Sequence, residues 1–213
     1  MPVVVESNLR RHTERFLHWG YYHGAGLASM GLALGVRRLL LPAPRSYGFL
    51  EPEGSHPLLD PLWSTVRTEV VHHGAEATRW DKIRFLADQP LALETLKVCF
   101  DANTDGNCGR CPKCLVTMAM LAAVGALDAA PFDAPLDLPA VARMDFPLVA
   151  PDLWQERVIP TVQDPALAAA MRTLYVRTLA LELRRESRAT ARAVGDALAA
   201  RARDRTIDAR GKP

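Results

Sequence analysis

All four cysteines of the chain fall within sixteen residues, Cys99 to Cys114, in the spacing C-x8-C-x2-C-x2-C. Two-residue gaps let neighbouring thiolates converge on one ion through a tight turn, and Cys99 closes the tetrahedron from farther away. Gly109 can adopt the backbone angle such a turn needs, and Pro112 stiffens the loop. Four thiolates with no cysteine left over make the ligand set of a closed structural Zn2+ site, Cys99, Cys108, Cys111 and Cys114. Such an ion holds structure and has no open position for chemistry. Arg110 and Lys113 would offset part of the negative charge of the four thiolates. An iron–sulfur cluster is the rival reading, because C-x2-C-x2-C also occurs in ferredoxin-type runs. Disulfides fit less well, since they suit short secreted chains and these cysteines are too close together for unstrained pairing of all four.

A chain of 213 residues can form one domain with a sizeable core, with or without an appendage. The formal net charge is +2, so charge alone implies no polyanionic partner. No apolar stretch is long and uncharged enough to cross a bilayer. Thiols clustered for a metal, with no export signal, point to the cytoplasm.

Along the chain, the β-branched run Pro2–Glu6 predicts a buried strand. Ser7-Asn8 offers a cap for a helix over Leu9–Trp19. Tyr21–Gly26 breaks the pattern, Leu27–Leu34 predicts a buried helix, and Gly35 is placed to cap its end. Arg37–Leu41 predicts a second strand, stopped by Pro42-Ala-Pro44, and Thr68–His72 a third. A helix between apolar strands is a βαβ pattern, which indicates an α/β fold with a parallel sheet. His72 and His73 are adjacent, so they point apart, and both read as surface or loop histidines. Thr78-Arg-Trp-Asp81 fits a capping box opening a helix to Ala87. Pro90–Lys97 reads as a short amphipathic segment, and Leu115–Leu127 as a strongly apolar helix that Gly125 helps to finish.

The proline- and aspartate-rich stretch Ala129–Pro160 predicts extended and turn structure, packing through Phe132, Phe146 and Trp154. Asp164-Pro165 then opens a helix to about Arg203, with the apolar stripe Leu167, Met171, Leu174, Thr178 and Leu181. Beyond Leu183 it turns arginine-rich, with Glu182 just before and Glu186, Asp196 and Asp204 interspersed. It reads as a solvated helix, and with no aromatic residue for base stacking, nucleic acid is not the expected partner. The end from Asp204 reads as disordered. The organisation expected is an α/β part over residues 1–127 that includes the knuckle 99–114, a packing segment over 128–163, and a helix with its tail over 164–213.

Ligands of open α/β sheets bind beyond the carboxyl ends of the strands. Arg45, Ser46, His56 and Asp60 fall in such loops and are the candidate substrate-binding residues.

Read together, Pro57-Leu-Leu-Asp60 and Cys99…Cys108-Gly-Arg-Cys111-Pro-Lys-Cys114 resemble the C-terminal half of the 7-cyano-7-deazaguanine synthases and their relatives, PP-loop ATPases of the adenine nucleotide alpha hydrolase-like fold. In that family a Pro-Leu-Ile-Asp-like loop is followed by a four-cysteine zinc knuckle. The stretch from His23-Gly24 to Gly35 and the strand after it look like the family's penultimate helix and strand. The resemblance covers about residues 3–127. It implies ATP-dependent adenylation or ligation of a small substrate, as in queuosine-type deazaguanine chemistry. The family's Ser-Gly-Gly-x-Asp-Ser loop, which cradles pyrophosphate, has no counterpart here, and no Walker-type loop replaces it. The resemblance therefore implies a partial domain that starts midway, inactive alone, with ATP and Mg2+ bound only when an N-terminal segment or partner chain supplies the loop. The alternative from the residues is a non-catalytic zinc-stabilised module that binds RNA or a protein through its basic C-terminal helix.

Overall fold

The computed structural model describes residues 4–99, 106–144 and 153–210; in the last stretch, side chains are described through Ala193 and at Asp196. Phe146 lies outside these residues. The chain is mixed α/β and divides into two compact units, Met1–Asp88 and Gln89–Pro213.

The first unit is built on a parallel pair of strands, β1 (Arg38–Pro42) and β2 (Glu69–His73), in the register Leu39 to Val70 and Leu41 to His72. Helix α2 (His23–Ala33) packs on β1, and it ends where the glycine at Gly35 takes a φ of 64°. Leu41, Val70 and Ala28 are buried between these layers. The expected strand over Pro2–Glu6 is not formed at residues 4–6, where Val4 stands 87% exposed. β-branched residues make a strand only with a partner to pack on. The βαβ unit therefore reduces to helix–strand–long loop–strand, and the crossover from β1 to β2 carries only the 3-10 turn Asp60–Trp63.

The first helix, α1 (Leu9–Thr13), is shorter than expected. The chain turns so that Trp19 lies edge-on to Tyr22 with ring centres 5.0 Å apart, under the Arg10 guanidinium. The expected break at Tyr21–Gly26 holds only at Tyr21–Tyr22; α2 already starts at His23, because the small residues Gly24 and Gly26 let the helix sit against its neighbours. Helix α3 (Arg79–Ala87) opens on the expected capping box: the Thr78 hydroxyl accepts from Asp81 N–H, and the Asp81 carboxylate accepts from Thr78 N–H at 3.0 Å.

The two edges of the sheet differ. At β2, the Ser64 hydroxyl takes the outward Val70 N–H at 3.0 Å. On the β1 side, Glu69 N–H bonds Arg37 O and Ala43 N–H bonds His73 O, so the alternation turns the backbone groups of Arg38 and Leu40 outward. Among the described residues no strand pairs with that edge, and Leu40 is half exposed.

The second unit is helical: α4 (Pro90–Glu94), α5 (Pro112–Ala123), α6 (Leu138–Arg143) and α7 (Pro165–Arg210). Every residue of α5 from Cys114 to Leu121 is buried. The described residues of the stretch from Ala129 to Pro160 are more helical than its prolines suggest. Asp137 caps α6 by accepting from Ala140 N–H at 2.9 Å, with proline in the first turn, and a π-helical turn spans Trp154–Val158. Trp154, Val158 and Val141 are buried, Phe132 half-buried. Leu167, Met171, Leu174 and Thr178 form the buried stripe of α7, and each apolar member adds about 2 kcal/mol. α7 continues to Arg210, past the point where disorder was expected, because alanine and arginine are strong helix formers.

Candidate metal centre

The four cysteines of the second unit converge. The Sγ atoms of Cys99, Cys108, Cys111 and Cys114 all lie within 4.8 Å of one another, and this is the one such ligand cluster among the described residues. Cys99 and Cys111 are 3.9 Å apart at sulfur, as are Cys108 and Cys114. A tetrahedral ion with metal–sulfur bonds of about 2.3 Å needs sulfurs roughly 3.8 Å apart. A disulfide needs about 2.05 Å. The residues therefore fit a single tetrahedral metal ion and could hold one.

The loop is shaped for this. Gly109 has a φ of 68°, and a Cβ there would come within 2.8 Å of Ala134 O. Cys111 N–H points at Cys108 Sγ (3.3 Å) and Cys114 N–H at Cys111 Sγ (3.4 Å). Such N–H donors spread thiolate charge onto the backbone. Cys111 is also the N-cap of α5, with Pro112 in its first turn, so one residue serves as both ligand and helix start. Burial pushes the Cys114 thiol above its ordinary range, with Cys111 and Cys99 adding to the rise and the Gly109 backbone opposing it. A bound cation reverses this preference by taking the thiolate.

Asn107, which the sequence did not single out, holds the distant ligand in place. It is fully buried. Its Oδ1 accepts from Val98 N–H (2.7 Å) and Cys99 N–H (3.1 Å), and its Nδ2 donates to Leu96 O (2.6 Å) and Pro131 O (3.0 Å). The signal available was an amide just before the Cys108-Gly turn, but its four partners come from two separate segments. Asn107→Ala should lower metal affinity about 10- to 100-fold, as expected for a ligand-orienting partner. Competition with a chromophoric chelator reads this directly; unchanged affinity would make Asn107 a loop residue only.

The candidates of the first unit are placed as follows. Asp60 is fully buried, its Oδ2 taking Ser55 Oγ (2.6 Å) and His72 Nδ1 (2.7 Å) and its Oδ1 taking His56 N–H (3.3 Å). His72 is therefore not the surface histidine expected: its side chain is 4% exposed and bound to Asp60, whereas His73 is exposed. The register of β2 turns His72 inward. Arg45 pairs with Glu51 (2.5 Å) and Glu53 (3.2 Å). Those two glutamates and His56 line an apolar cleft of about 480 Å3 together with Tyr21, Leu50 and Leu59. Ser46 is half-buried, its carbonyl accepting Phe49 N–H, and it does not line the cleft. Arg45, through its glutamates, and His56 thus gather at one cleft, with Asp60 tethering the loop from within.

No helix among the described residues is long and apolar enough to cross a membrane. No protein-family model matches the chain, and neither a curated protein nor a solved structure matches it.

Proposed function

We propose that the chain is the zinc-holding, C-terminal portion of a PP-loop-type, ATP-dependent enzyme similar to the 7-cyano-7-deazaguanine synthases, inactive until a PP-loop segment joins it. The observation that carries this is the open edge of β1. Parallel strands occur almost only in larger sheets covered on both faces. A two-stranded parallel pair whose Val70 N–H is taken by Ser64 at the β2 edge, and whose β1 edge meets no strand among the described residues, favours further strands on the β1 side. The PP-loop domain is a parallel sheet that would supply them. In this reading the cleft with His56, Glu51 and Glu53 takes the small substrate, and the partner segment takes ATP and Mg2+.

The metal in this reading is zinc. A multi-iron cluster divides its four cysteines between separate irons, so sulfurs bound to different irons stand farther apart than around one ion, whereas here all four lie within 4.8 Å of one another. The ion clamps the start of α5 and takes no part in chemistry.

Metal analysis together with calorimetry of ATP·Mg2+ binding tests both parts. The expected result is about one zinc per chain and no heat of ATP binding, with binding restored when a chain bearing Ser-Gly-Gly-x-Asp-Ser is added. Iron with a visible charge-transfer band would overturn the zinc assignment. Absence of any such loop upstream in frame or on a neighbouring chain would sink the enzyme reading.

A further inference from the structure

Helix α7 changes character along its length. The stripe of buried Leu167, Met171, Leu174 and Thr178 and half-buried Leu181 advances by alternating steps of four and three. The next positions of the same seam are Arg185, Arg188 and Arg192. From Leu183 to Ala193 every residue is exposed. The three arginines, with Ala189, Ala193 and Asp196, line one groove of about 450 Å3 along the helix. At 1.5 Å per residue they are spaced about 4.5 and 6 Å along the axis.

The charge of the chain is split in the same place. From Leu183 onward there are nine basic residues against four acidic ones; before it there are seventeen against twenty, which together give the net +2. Eight of those nine are arginine. Glu186 stands about 100° round the helix from Arg185, off the seam, and Asp196 is the one acid lining the groove.

We propose that this arginine seam docks the phosphate backbone of double-stranded nucleic acid. Arginine presents a planar fork of donors matched to phosphate oxygens, and a duplex offers one charge per about 1.7 Å of its axis. No aromatic residue lies between Leu183 and Pro213, so the seam lacks the stacking platforms of a single-strand binder. No residue from Arg184 to Ala193 is apolar and larger than alanine, so the face has nothing to insert into a membrane. Net charge concealed the seam, because the excess of acids before Leu183 nearly cancels it.

Fluorescence anisotropy of the full chain with a labelled RNA duplex, over a salt series, tests the proposal. Three phosphate contacts predict a log–log salt slope of about −2.7, so affinity falls about 40-fold between roughly 50 and 200 mM salt. The variant R185A/R188A/R192A should lose that slope, and the lysine triple variant should keep most of it. Alanine is a strong helix former and the sites are exposed, so circular dichroism should show unchanged helix content. No binding at low salt, an unchanged slope in the alanine variant, or equally tight binding to polyglutamate or to phosphatidylserine vesicles would overturn the proposal.

Discussion

Replacing Cys111 by serine should empty the metal centre and unfold the second unit. Serine is itself a preferred N-cap, so Cys111→Ser leaves a hydroxyl to accept Cys114 N–H and start α5. What it removes is a thiolate that sits 3.9 Å from the Cys99 sulfur. In sites of this kind, metal binding contributes on the order of 10 kcal/mol to folding. A domain's whole stability is about 5–15 kcal/mol, so the loss is decisive. The expected result is less than about a tenth of an ion per chain, with protease cleavage appearing between Gln89 and Arg143. Full metal content with an unchanged melting temperature would show that Cys111 is not a ligand.

Asp60→Ala should collapse the first unit instead and leave the metal centre loaded. The carboxylate joins three segments: the loop at Ser55 and His56, the turn it opens itself, and β2 through His72. With the carboxylate gone, His72, Ser55 and the His56 N–H lose their shared acceptor inside the unit. Leaving a buried hydrogen-bonding group without its partner costs about 1–3 kcal/mol each. Urea unfolding followed by tryptophan fluorescence should show an early transition while metal content stays near one ion per chain. A shift below about 1 kcal/mol, the scale of an exposed pair, would mean that the network is not structural. The two variants should therefore fail in different units, Met1–Asp88 for Asp60→Ala and Gln89–Pro213 for Cys111→Ser.

Features whose cause is local could be read directly from the residues. The four ligands sit in one short window, the Thr78–Asp81 box needs only residues three apart, and Gly35 and Gly125 end helices at φ of 64° and 73°. β2 matched its short β-leaning run within a residue. Prolines misled between Ala129 and Pro160, where they were taken as breakers, whereas Pro165 was taken as a helix opener, as it is. Pro90, Pro112, Pro139 and Pro165 stand in the first turns of α4 to α7, where the missing N–H costs nothing. The non-local features were hidden. Asp60 meets His72 only through the register of β2, and Asn107 gathers partners from Leu96 to Pro131. The valines at the start read as a strand, yet β character needs a neighbour that the pattern itself cannot name.

The close approach of the four sulfurs has a redox consequence. Cys99 faces Cys111 and Cys108 faces Cys114 across 3.9 Å. Closing that gap to about 2 Å with a two-electron oxidant would make a disulfide, which can no longer bind an ion. Metallation and oxidation thus compete for the same electron pairs, and the ion acts as a protecting group for the thiols. Handling the metal-free chain without reductant would convert a reversible loss of metal into a covalent one.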